Sequence, residues 1–530
     1  MAAANPRSFV PELPRADPSA VPGANYYARI HAALLAHPGA ETLVWPGVIA
    51  LDSPARYVAA DVLAQVSRAR RYLRAQGVQP GQRVLVAVPV GPALVAALLA
   101  LLALGAVAVL PPAGMSWLTR LRLPGQAGAT AAVVVARPRL ARRWLARRLG
   151  LRLLTVPADV APAHLEDTDA APARFARPTW TPAAVPPDQP ALISHSSGST
   201  TGRPKPIVRT HAVLAAQHAA LRAAFPPWAG QRDLPLFPNI LLHNLALPEG
   251  VSSILPAVPW RYLPGFDPAR VAAQLVQERI ETLTGNVTYF RRLLPALRAL
   301  PAGALAAVRA VGVGGSPVPE KLAQALRTTF AGADVFIIYG SSEAEPIAVR
   351  RLSAVAADPR RGYCVGRPAA GIELALAPAQ FVLALPDGQS QLVGEVRVRG
   401  PHVAQPVGAA VGAAGGAWLA TGDFGYLHPD TGELWLTARR GNTGPVGGCQ
   451  HYQLEHVAQH VPGVGRVAAR AAPAGFSVLV EGTDPGLVPA VTGALTDAFP
   501  ALRGQLRVQL VARLPVDGRH HAKIRYDQLR

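Results

Sequence analysis

Between Val84 and Leu118 the chain runs through 35 residues without a single charged side chain. Such a stretch either crosses a membrane or is buried inside a folded body. Its internal punctuation separates the two. "VLVAVPV" (Val84–Val90) reads as a buried strand, and Pro92 sits where a helix tolerates proline, at its first position. Gly105 ends that helix, and "AVAVL" (Ala106–Leu110) reads as a second strand before Pro111-Pro112. The helix is about 13 residues long, short of the roughly 20 needed to span a bilayer. The segment therefore predicts a buried strand–helix–strand unit and no transmembrane span. The same alternation returns in "VRAVGVGG" (Val308–Gly315), "PEKLAQALRTTF" (Pro319–Phe330) and "ADVFIIYG" (Ala333–Gly340). Strands alternating with helices predict an α/β fold of mostly parallel sheets covered by helices. From Gly394 short β-like runs dominate, and a composition shift at Ala438–Gly448 predicts a boundary between a large domain, residues 1–439, and a small one, 440–530. Pro157 to Pro190 is expected to be a long surface connection.

Composition narrows the class. Hydrophobic residues make up 50% of the 530 and charged residues only 16%, the reverse of a disordered chain. Cys364 and Cys449 allow at most one disulfide, so no disulfide framework holds the fold. Met1–Asn25 lacks the basic start and apolar stretch of a secretory signal, and a cytoplasmic location is expected. The net charge of +20 comes mainly from scarce acids, 32 against 52 basic residues. The densest basic stretch, Arg137–Arg152, reads as a surface helix with a solvated face, the alternative being a dock for anionic lipid or an acidic carrier. No zinc-finger spacing or RNA-binding signature appears, so no specific nucleic-acid partner is expected. Only three of the 52 basic residues are lysine: Lys205, Lys321 and Lys523. Where arginine serves nearly every solvated position, a surviving lysine is a candidate for a place that needs a compact ammonium.

Lys205 closes "SHSSGSTTGRPK", a run of small and hydroxyl residues after a buried strand. Backbone N–H groups can approach phosphate oxygens there, hydroxyls add donors, and the lysine adds a point charge. The run does not fit a Walker loop. It resembles the signature of the adenylate-forming superfamily: acyl-CoA synthetases, peptide-synthetase adenylation domains and luciferases. Ser197, Gly198, Ser199, Thr200, Thr201, Gly202 and Lys205 would hold the nucleotide phosphates, although this loop has one residue more than the family pattern.

Four further segments follow in the family's order. "GVGGSPVP" resembles the segment packed against adenine, through Gly314, Gly315 and Ser316. "YGSSEAEP" resembles Tyr-Gly-x-Thr-Glu; by that match Tyr339, Gly340, Ser341 and Ser342 flank the nucleotide and Glu343 holds Mg²⁺. In "WLATGDFGYLHPDTGELWLTARRGN" Asp423 would bind the ribose hydroxyls and Arg439 would assist at ribose or phosphate. "PVDGRHHAKI" resembles the C-terminal lysine motif, with Ala522 replacing the usual glycine before Lys523. Lys321 falls on no motif.

The resemblance implies a mobile C-terminal α+β lid carrying Lys523, and activation of a carboxylic acid by ATP and Mg²⁺ to acyl-AMP and pyrophosphate. Lys523, Glu343 and Lys205 would be the catalytic groups. The hinge position of the family falls on Gly441. "CVGRP" (Cys364–Pro368), "YGSSEAEPI" and "PVDGRHHAKI" are similar to bacterial olefin-pathway β-lactone synthetases and fatty-acyl ligases. The acceptor stays open among CoA, an acyl carrier protein and the substrate's own hydroxyl. A degenerate nucleotide- or acyl-binding homologue is the reading from another class. His243 matches a position near the acyl site. His451, His456 and His460 lack zinc spacing and are expected on a solvent-facing helix.

Overall fold

The computed structural model describes residues 25–46, 54–111, 128–135, 150–156, 179–195, 205–260, 263–377, 381–406, 417–442, 444–473, 475–517 and 523–529, together with Ala146 and Arg148. The phosphate-loop residues Ser197–Gly202, Ala522, most of the Arg137–Arg152 stretch and most of the Pro157–Pro190 connection lie outside them.

The uncharged segment folds as its punctuation dictates. Strand Arg83–Val86 leads through Gly91 into helix Pro92–Ala103, and strand Val107–Val109 follows. Leu98 to Ala103 are buried on every side, which is why the segment needs no charge. Gly105 takes φ +69°, the left-handed conformation that closes the helix, and a Cβ there would meet Val185 Cγ1 at 2.7 Å. Among the described residues no helix is long and apolar enough to cross a membrane.

These strands belong to a seven-stranded sheet in which 83–86, 107–109, 131–135, 152–156 and 190–195 are parallel. A second sheet of 14 strands carries a parallel centre, 232–235, 282–286, 310–314 and 334–339, and an antiparallel extension through 363–368, 419–427 and 434–439. One apolar core lies on the first sheet around helices Tyr26–Ala36, Ala59–Ala75 and Pro92–Ala103, and another lies under helices Pro268–Gln277, Val287–Arg298 and Glu320–Thr329. A three-stranded sheet, 467–472, 475–481 and 506–511, packs with helices His451–Ala458 and Leu487–Ala498 around its own core. The α/β class read from the sequence is the fold observed.

One expectation is corrected. Helix His451–Ala458 does not face solvent: all eight of its residues are buried. It is wedged between the three-stranded sheet on one side and the segments around Pro359–Arg361 and strand Leu434–Arg439 on the other. Several of its polar side chains, His456 and Glu455 among them, are matched internally. His456 Nε2 accepts from Glu320 N at 2.8 Å and its Nδ1 donates to Gly362 O at 2.8 Å, while the ring stacks on Tyr363 with centroids 4.4 Å apart. Burial pushes the His456 pKa down to about 3, so the ring is neutral, as these bonds require. Glu455 accepts from Ala469 N at 2.8 Å and from the Tyr526 hydroxyl at 2.8 Å. No group of three or more metal-ligating side chains occurs among the described residues.

Candidate active site

A cavity of about 1050 Å³ opens between the two large sheets. Its chemistry is concentrated where the parallel strands of the second sheet end. Strand Ala310–Gly314 stops at Gly314, whose missing Cβ leaves room for Ile338 O; a Cβ would lie 2.4 Å from it. Gly315 follows at φ +79°. Strand Asp334–Tyr339 stops beside it and turns sharply: Ser341 N donates to Ala344 O at 2.7 Å, and Ser341 Oγ accepts from Glu343 N and Ala344 N. Gly314, Gly315, Gly340, Ser341 and Ser342 all line the cavity, a small-residue rim where backbone can approach a flat ligand closely.

The antiparallel extension supplies the charged groups. Asp423 and Arg439 face each other in register on neighbouring strands. Arg439 Nη1 donates to Asp423 Oδ1 at 2.6 Å, and the Tyr339 hydroxyl donates to Asp423 Oδ2 at 2.8 Å. Asp423 is 7% exposed. The carboxylate raises the Arg439 pKa, and burial followed by Asp423 lifts that of Tyr339 well above the ordinary phenol value. Three residues from two separate sequence segments thus form one hydrogen-bonded unit.

Lys523 joins the same site from the end of the chain. It lines the cavity, half-buried, beside the antiparallel bridge of Val516 and Ile524: Lys523 N donates to Asp517 Oδ1 and Asp517 N donates to Lys523 O, both at 2.9 Å. Burial and the Arg439 guanidinium push its pKa down from the ordinary lysine value, opposed by the Asp423, Asp517 and Glu343 carboxylates. Glu343 is half-buried in the turn after Tyr339, its carbonyl accepting from Ala404 N at 2.7 Å. Lys205 is exposed at the head of strand Pro206–Thr210, and Ser316 lies just past the Gly315 turn; neither lines the cavity. Lys321 is exposed on its helix.

His243 sits deeper, on helix Pro238–Leu245, 7% exposed and lining the cavity. Its ring lies 4.6 Å from that of His218, and burial, His218 and Arg222 hold it well below the ordinary imidazole value. Sequence reading missed three neighbours. Arg209 bridges Ser194 Oγ at 2.6 Å and the carbonyl of Ser342, tying the first sheet to the Tyr339 turn. Glu345 lines the cavity and accepts from Asn239 Nδ2 at 3.0 Å. Asp233 lines its inner end; a lone acid in the apolar run "DLPLF" was the available signal.

An olefin β-lactone synthetase of Stenotrophomonas maltophilia (strain K279a) is 30% identical over 380 residues, 64% of this chain and 66% of that protein. The 2-succinylbenzoate–CoA ligase of Arabidopsis thaliana is 28% identical over 303 residues, 52% of either chain. The chain thus spans about two thirds of the first relative's length and about half of the second's. ATP-bound MatB from Rhodopseudomonas palustris superposes with a TM-score of 0.72 at 20% identity, covering 95% of this chain and 98% of that one, a likeness of fold. The profile of AMP-binding enzymes matches residues 32–406, a stretch that holds the Tyr339 turn, the glycine rim and the walls of the cavity, and the chain belongs to that family.

Proposed function

We propose that this protein activates a carboxylic acid with ATP, forming acyl-AMP and pyrophosphate, and then passes the acyl group to an acceptor. The observation that carries the reading is that Lys523 and the glycine rim line one cavity, while Asp423 and Arg439, joined to Tyr339 outside that lining, act on the Lys523 charge.

The step balances without a proton. A carboxylate oxygen bonds to the α-phosphorus, the bond to the bridging oxygen breaks, and pyrophosphate leaves with the electron pair. Negative charge shifts among phosphate oxygens, so positioning and fixed positive charge are what the site must supply. Lys523 would meet the carboxylate and the α-phosphate. Asp423 would accept from the ribose hydroxyls, with Arg439 beside it, and Gly314, Gly315, Ser316, Gly340, Ser341 and Ser342 would shape the adenine and phosphate rim. The Ser197–Lys205 loop would hold the leaving pyrophosphate. Glu343 offers a single carboxylate, which fits a Mg²⁺ shared with phosphate oxygens and waters, not one caged by protein. Bound there, Mg²⁺ supplies charge neutralisation at the phosphates. His243 would border the acyl chain.

Residues 1–439 would form the large body and 440–530 a lid hinged at Gly441. That glycine takes φ +91° with no atom within 4 Å of a Cβ position, free to change its backbone angles. The named relatives support two fates for the acyl group: transfer to CoA or a carrier protein, and capture by the acid's own β-hydroxyl, which closes a lactone ring and releases AMP.

Incubation with ATP, Mg²⁺ and a panel of fatty, aryl and β-hydroxy acids, with and without CoA, tests the reading. Acid-dependent pyrophosphate is expected. A thioester mass assigns a ligase, and a lactone mass without CoA assigns the synthetase. ATP binding without pyrophosphate from any acid would instead support a degenerate binding homologue.

A further inference from the structure

The cavity has an inner end that the activation chemistry does not use. Strands Arg232–Pro235, Thr282–Asn286 and Ala310–Gly314 lie parallel beneath it, with Asn286 and Gly314 in register at the nucleotide end. Asp233, in register with Thr282, lies at the other end. Four residue steps of strand separate the two, about 13 Å. The floor between is kept low at Gly312, where a Cβ would meet Ile338 Cδ1 at 2.9 Å and Thr284 Cγ2 at 3.1 Å.

Asp233 is an unusual residue to end an apolar chamber. It is 3% exposed and lines the cavity. Its Oδ1 accepts from Thr282 Oγ1 at 2.6 Å and its Oδ2 from Asn244 Nδ2 at 2.7 Å. The Leu234 backbone N–H is a further donor; all three are neutral, and of the carboxylate's four acceptor directions one stays open. Burial pushes the Asp233 pKa up to about 6, against the pull of these bonds. Along the way His243 holds a buried Nδ1 with no partner among the described residues. An alkyl end pushed against this carboxylate would exclude water and replace it with nothing. A donor on the chain end would add a charge-assisted hydrogen bond.

We propose that this inner end selects acids whose chain terminates, about 13 Å from the activated carboxylate, in a hydrogen-bond donor, a hydroxyl or an ammonium. Asp233 is then a specificity-determining residue. The proposal rests on the acid-activating reading for the placement of the carboxylate.

Calorimetric binding of decanoate, 10-hydroxydecanoate and 10-aminodecanoate to the full chain, beside pyrophosphate release from each, tests it. The wild type is expected to bind at least one donor-ended acid about tenfold or more tighter than decanoate, and Asp233→Leu to abolish or reverse that preference. The tighter of the two donor-ended acids separates hydroxyl from ammonium. Asp233→Asn keeps the side-chain volume and is expected to shrink the ratio of 10-aminodecanoate to decanoate binding. If Asp233→Leu does not fold, an unchanged ratio in Asp233→Asn overturns the proposal. Equal binding of all three acids, binding of none, or a preference that survives Asp233→Leu also overturns it. A binding preference lost in the variants with no pyrophosphate from any acid would sustain the subsite and overturn acid activation instead.

Discussion

Asp423 spends one carboxylate oxygen on Arg439, at 2.6 Å, and the other on the Tyr339 hydroxyl, at 2.8 Å. The two bonds fix the carboxylate plane that would face the ribose. Removing the phenol hydroxyl by Tyr339→Phe deletes one bond to a charged group, of the kind that contributes about 1.5–3 kcal/mol. We expect a roughly ten- to hundredfold rise in the KM for ATP with a smaller change in melting temperature. Asp423→Asn leaves Arg439 without its carboxylate and is expected to lower both ATP affinity and Tm, read by calorimetry and thermal melts. An unchanged KM in both variants would remove this unit from the nucleotide site.

Lys523→Ala should reduce acid-dependent pyrophosphate release by about 100-fold or more, the scale seen when one preorganised charge is deleted. ATP binding and Tm should hardly change. Because burial and Arg439 depress the Lys523 pKa, the ammonium is lost as pH rises through a value below the ordinary lysine 10.5. The rate of the first half-reaction should therefore fall on the alkaline side below pH 10.5. A pH–rate profile with no such limb would argue against a titrating lysine.

Glu455 is pushed up to about 8 from 4.5, chiefly by burial. Its folded pKa lies above the unfolded one, so the folded state keeps a proton that the unfolded chain releases. Stability from this group is present below pH 4.5 and lost progressively as pH rises to about 8. Glu455→Gln should flatten the decline of Tm across that window, measured by melts in matched buffers. A variant whose melting curve tracks wild type at every pH would contradict the assignment.

A methyl group at position 314 has no room: the Cβ would lie 2.4 Å from Ile338 O. Gly314→Ala is expected to displace strand Asp334–Tyr339 by more than half an ångström and to weaken ATP binding more than acid binding. Gly441→Ala, at φ +91° in open space, should cost only about 1 kcal/mol of backbone strain. Similar ATP affinities in the two variants would refute the close-approach reading of Gly314.

Local signals made the fold legible. Pro92 and Gly105 bracket a helix observed at Pro92–Ala103, and the strand Val308–Gly315 is observed at Ala310–Gly314. Each depends on backbone chemistry within a few residues. The rare lysines pointed to the ends of two motifs, and Lys523 lies in the cavity. What stayed hidden depends on distant partners. His456 looks like a surface residue until Glu320 N, 136 residues away in sequence, and Gly362 O, 94 away, together with the Tyr363 ring, close around it. Asp233 is equally silent, because its meaning comes from Thr282 and Asn244 and from the empty space beside them.

The burial of helix His451–Ala458 on both sides carries a thermal consequence. If the C-terminal lid swings during turnover, one face of this helix, with Tyr452, His456 and the Tyr363 ring it covers, meets water on every cycle. Exposing apolar surface raises heat capacity. A step limited by that swing would then show a curved Eyring plot, while acid activation with the lid closed would give a straight one. Temperature alone would tell which half of the cycle sets the pace.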